Sequence, residues 1–240
     1  MNDETLALTE SSLGMAKITT EIGFEEWVRF LFDHPVPAGD AKAWYWDTEA
    51  NLVELASERE VAYATELFKR GGEMLAGWND AQVDQGLWFL IGESSPAAIY
   101  ALADTEVAVA KRVACVHAIE RLFEQLFVPR CTPHLSHLNE AGSGALNAVC
   151  YMWWDIFPLS AKPGIEERRD IDAACISVME RTLRIPSIAC QESALHGLGH
   201  WVRYYPDPCE KIVADYLKGS GKLRREIVEY AERALTGSVL

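Results

Sequence analysis

His196 and His200 stand four residues apart, so on a helix they lie one turn apart on the same face. Two imidazoles at that spacing can share one zinc ion, as they do in His-Glu-x-x-His enzymes. The residue after His196 is Gly197, so the general base of that motif is missing. Third ligands are conceivable from Cys131, His134 and His137, which read C-x-x-H-x-x-H, and Cys190 and Glu192 lie nearby in the chain. The plainer reading is a histidine pair bordering the core and hydrogen-bonded to backbone or carboxylates. No cofactor is expected unless zinc occupies that pair.

Other chemistry is weakly marked. Gly142-Ser143-Gly144 follows no strand and lacks a lysine, so it reads as a helix start rather than a phosphate cradle. No G-x-S-x-G elbow occurs, and nothing pairs a cysteine with a histidine as a nucleophile. Arg168-Arg169, Arg181 with Arg184, and Arg224-Arg225 are small basic clusters. Nearby glutamates make them read as solvated helix faces, which leaves nucleic-acid binding a minor alternative. Trp44, Tyr45 and Trp46, flanked by Asp40, Asp47 and Glu49, form an aromatic and acidic cluster suited to a protein contact.

The elements that must position these residues read as helices. Phe24 to Phe32 is a short amphipathic helix stopped by Pro35 and Pro37. Helical text from Thr48 to Arg70 is closed by Gly71-Gly72. The clearest helix spans about 104–127, with Val109, Val113, Val116, Ile119, Phe123 and Leu126 on one face and Arg112 off it. Ala145 to Phe157 is apolar nearly all round and should be central. Residues 165–184 form a further helix, and Ser187 can cap the one carrying the histidines. Pro206 should stop that helix, Asp207-Pro208 should start the next, and a last helix runs from Leu223 to Ala234. No stretch alternates as a strand does, so the fold class is all-α.

Charge and composition narrow the classes. The 240 residues carry 22 Lys+Arg and 36 Asp+Glu, a net charge of −14. Residues 1–120 hold 8 basic and 21 acidic side chains (−13), whereas 121–240 hold 14 and 15 (−1), so the excess lies in the N-terminal half. Such a surface repels phosphate backbones and attracts cationic partners. No membrane-spanning stretch is present and the start, Met1-Asn2-Asp3-Glu4, is acidic, so a cytoplasmic location is expected. The six cysteines form no C-x-x-C pair and read as small buried hydrophobes. Residues 1–20 are weakly patterned and read as a flexible arm, with 21–240 as a single all-α domain.

Ser193-Ala194-Leu195-His196-Gly197-Leu198-Gly199-His200-Trp201, then Pro206-Asp207-Pro208 and an Ile/Val/Leu helix, resembles HEAT and armadillo-type repeats. Val107 to Leu126 resembles the second helix of such a repeat more loosely, and the likeness covers about residues 84–240. It implies a right-handed α-α superhelix of stacked helical hairpins with a concave binding face. A compact irregular helical bundle is the alternative. The leading functional expectation is a non-enzymatic module whose acidic surface docks a basic partner protein, as an immunity or antitoxin-type protein or an adaptor does. The alternative is a metal-dependent hydrolase or metal-binding protein centred on His196 and His200.

Overall fold

The computed structural model describes residues 21–38, 43–46, 53–92, 99–219 and 223–239. The expected arm at 1–20 and the carboxylates Asp40, Asp47 and Glu49 lie outside the described residues. Among the described residues every regular element is helical: α1 (Phe24–Phe32), α2 (Ser57–Met74), α3 (Asp80–Ile91), α4 (Val109–Leu122), α5 (Ala145–Ile156), α6 (Arg169–Leu183), α7 (Ile188–Trp201), α8 (Pro206–Gly219) and α9 (Arg225–Leu235). No helix among them is long and apolar enough to cross a membrane.

Neighbours follow a simple rule. α1 packs on α3, α3 on α5, α5 on α7 and α7 on α9; α2 packs on α4, α4 on α6 and α6 on α8. The chain therefore alternates between two rows of helices, with α7 also packed on α6 and α8. Each helix has an apolar stripe, and the shared core runs from Trp27 on α1 to Ala234 on α9.

Three boundaries differ from the sequence reading. The expected end of α2 is a kink: Arg70 leaves helical geometry (φ −120°, ψ 16°) just before Gly71-Gly72, and the chain then resumes the helix to Met74. A Cβ on Gly72 would lie 2.7 Å from the Gln125 carbonyl oxygen, so this glycine also admits the chain just beyond α4. The long helix starts at Val109, not 104, and its buried face is turned. Val109 is 40% exposed, whereas Arg112 is 3% exposed beside Cys115, Val116 and Ile119. Beyond Leu122 it widens into a π turn, Phe123–Phe127, which buries Phe123, Leu126 and Phe127 together. Finally, Pro206 heads α8 rather than ending α7, because a first-turn proline lacks only an N–H that has no intrahelical partner.

Candidate metal centre

α7 is almost wholly buried, yet it carries Glu192, His196 and His200 at intervals of four. That spacing aligns the three side chains on one stripe. The stripe meets α5, which carries Tyr151 and Asp155, and α9, which carries Tyr230. Gly197 makes the approach to α5 and α6 possible. A Cβ there would lie 2.6 Å from Met179 Sδ and 2.7 Å from Trp154 Cβ. The place held by glutamate in the zinc-protease motif is thus taken by a packing glycine.

Glu192 sits at the sealed end. Its side chain is fully buried and accepts from the backbone N–H of Ser136 (2.9 Å), the N–H of His137 (2.9 Å) and His137 Nδ1 (2.6 Å). Three donors answer the desolvation of one carboxylate and pin the loop before α5 to α7. The His137 ring also stacks on Tyr230, centroids 4.0 Å apart. Glu192 is a fixed acceptor, with no open edge from which to act as a base.

His196 is 1% exposed, and its Nδ1 lies 2.7 Å from the Tyr230 hydroxyl. The Tyr230 O–H points to the Val239 carbonyl at 3.1 Å, which can only accept. The Tyr151 hydroxyl, 3.2 Å away, is a second acceptor for that proton, and with either choice the phenol oxygen can accept from His196 Nδ1–H, the tautomer that leaves the lone pair on Nε2. Burial holds the His196 pKa down to about 3, and His200 and His137 push it the same way, so the ring is neutral. Burial likewise raises the phenols of Tyr151 and Tyr230, which stay protonated.

His196 Nε2 faces His200 Nε2 at 3.1 Å, and His200 Nε2 lies 3.3 Å from Asp155 Oδ1. One proton on His200 Nε2 can serve both neighbours. A divalent cation can replace it, because tetrahedral zinc with bonds of about 2.0–2.1 Å sets its ligand atoms roughly 3.3 Å apart. The ligand atoms of Asp155, His196 and His200 all lie within 4.8 Å of one another. Two imidazoles and one carboxylate form a donor set suited to zinc or a neighbouring transition metal. The Asp155 and His200 side chains are 34% and 27% exposed, so the centre opens on that side only.

The Cys131–His137 run does not join the histidine pair; the third ligand-type atom beside it is Asp155 Oδ1, from α5. Cys131 goes to Cys150, whose thiol burial pushes up. His134 Nδ1 turns to Thr132 Oγ1 at 2.9 Å, and His137 goes to Glu192. Asp155 escaped the sequence reading, although it is the sole charged residue of α5 and stood out by that alone.

In the aromatic cluster, Trp44 stacks on His34 with ring centroids 3.8 Å apart and meets Phe30 and Phe89. Tyr45 packs on Phe89, and Trp46 is 57% exposed. The arginine clusters pair with carboxylates: Arg168 with Asp172, Arg169 with Glu166, Arg181 with Glu120, Arg184 with Glu180, Arg224 with Glu140 and Arg225 with Glu229. Comparisons with protein-family models, curated proteins and solved structures gave no match for this chain.

Proposed function

We propose that this protein is a metal-dependent enzyme of the hydrolase class whose centre is Asp155, His196 and His200. The observation that carries the reading is the convergence of three ligand atoms at 3.1 and 3.3 Å, with Tyr230 placed 2.7 Å from His196 Nδ1, where it can hold the ligating tautomer. Three protein ligands leave a tetrahedral ion one position for water, which is the pattern of catalytic rather than structural zinc. Bound zinc would make that water acidic enough to ionise near neutral pH and would polarise the bond it attacks. Tyr230 and Glu192 are positioning residues: one orients His196, and the other holds His137 under the Tyr230 ring.

The test is metal binding by the full chain. Calorimetric titration with zinc, with metal content read by plasma mass spectrometry, should give one ion per chain. Asp155→Asn and His200→Ala should each weaken binding by about 10-fold or more. Unchanged affinity and stoichiometry in both variants would remove the proposal.

The finer architecture we propose is a HEAT-like superhelix of stacked hairpins, supported by the strict alternation of odd- and even-numbered helices between two rows. Six free cysteines, five of them buried, support a reducing, cytoplasmic setting. The second functional reading is an adaptor or immunity-type module that docks a basic protein. It is supported by the net charge of −14 and by the exposure of Trp46.

A further inference from the structure

Asp155 belongs to two features at once. One oxygen faces His200, and the residue also lines a cleft of about 630 Å³ at the ends of α3 and α5. That volume is ordinary for a small-molecule site. The other walls come from Tyr45, Trp46, Trp88, Tyr100 and Phe157, five aromatic side chains from four separate chain segments. Trp46 and Tyr100 are 57% and 41% exposed. Large rings held open to solvent around a concavity are unlike the packed rings of the core.

The lining also says what the occupant is not. Asp155 is the one charged side chain among the described lining residues. Among the described lining residues a phosphate or carboxylate would find no arginine or lysine. A bound cation would need a free carboxylate, and in the metal centre the charge of Asp155 is offset by the ion. Sugars require several hydrogen-bonding groups around a platform, and the polar side chains here are few. Flat apolar walls with a polar group at one end suit a planar neutral ring, held by offset or edge-on contacts.

We propose that this cleft is the substrate pocket of the metal centre and takes substrates that carry an aromatic ring joined to the reacting group. The inference rests on the metal reading above. The ring lies among Trp46, Trp88 and Tyr100, and the reacting group reaches past Asp155 to the open side of His200. The two features that looked independent in the sequence, the aromatic cluster near residue 45 and the histidine pair near 200, then serve one site.

Two hydroxamates that bind zinc through the same atoms provide the test, because benzohydroxamate carries a phenyl ring where acetohydroxamate carries a methyl. With the zinc-loaded chain, calorimetry should show benzohydroxamate binding about tenfold more tightly. Trp46→Ala, at an exposed position, should bring that ratio close to one while leaving zinc content and acetohydroxamate affinity unchanged. Trp88→Ala should do the same. Equal affinities in the unsubstituted protein, or a preference that survives both substitutions, would overturn the cleft while leaving the metal centre intact. A chain that takes up no zinc by mass spectrometry would instead overturn the metal reading, and the cleft's assignment with it.

Discussion

At the scale of single residues, the structure places several polar groups where apolar ones would be easier to bury. Asp84, on α3 beside Trp88, has one carboxylate oxygen buried with no hydrogen-bond partner. Burial lifts its pKa from 3.8 to about 7, against the opposing pull of the Trp88 indole. Because the folded value lies above the unfolded one, the folded state binds this proton more tightly. The stabilisation is complete below about pH 4 and is lost as pH rises through about 7. Asp84→Asn should therefore flatten the fall in stability between about pH 5 and pH 8, with a gain at the upper end on the order of 4 kcal/mol at most. Urea unfolding at both pH values checks this, and parallel curves for the two proteins would reject it. Arg112 poses the same problem with opposite charge: it is 3% exposed, and its Nε and Nη1 lack partners. Placing it off the apolar face followed from its charge, and the actual packing of α4 against α2 and α6 overrode that.

At the scale of elements, glycine decides how closely helices approach. Gly197 lies mid-helix in α7, where alanine would ordinarily gain up to about 1 kcal/mol from helix propensity. A Cβ there would meet Trp154 Cβ and Cγ at 2.7 Å, and backbone-proximal atoms cannot swing aside. Overpacking of that kind costs about 1–3 kcal/mol, so the steric term wins. Gly197→Ala should lower the melting temperature and also weaken zinc binding, since it pushes His196 and His200 away from Asp155. A variant that melts at or above the unsubstituted protein would show that α5 and α7 can separate freely. This glycine is also why the missing glutamate after His196 was a sound sequence observation with an incomplete meaning. It bears against a His-Glu-x-x-His enzyme but does not bear against a metal whose third ligand comes from a second helix.

At the scale of the whole molecule, the odd-numbered row carries the residues of the proposed centre. Asp155 comes from α5, His196 and His200 from α7, Tyr230 from α9, and Trp88 from α3. An ion held at the proposed centre would cross-link α5 to α7 and stabilise the folded chain with the logarithm of free zinc over its dissociation constant. At free zinc 100-fold above the dissociation constant the gain is about 2.7 kcal/mol. Zinc should thus raise the melting temperature of the unsubstituted protein, EDTA should reverse the rise, and His200→Ala should show a clearly smaller rise. An equal zinc response in that variant would place the metal elsewhere.

The all-α class was legible because a buried stripe repeats every three to four residues, and Pro and Gly mark most of the ends. Such patterns are local, and one strand of text holds them. The His196–His200 pair was legible for the same reason, since two positions on one helix need no tertiary contact to be neighbours. Asp155 joins them from 41 residues away, and Tyr230 from 30 or more. Nothing local links those distances; the packing of α5 and α9 on α7 does. Tertiary structure also decided which histidine of the Cys131–His137 run matters and to whom, because Glu192 needed donors once α7 was buried. The sequence alone determined the helices and the pair of imidazoles, through short-range periodicity. The approach of Asp155 and Tyr230 to the imidazoles and the aromatic cleft were decided only when two rows of helices stacked and brought distant side chains within reach of each other.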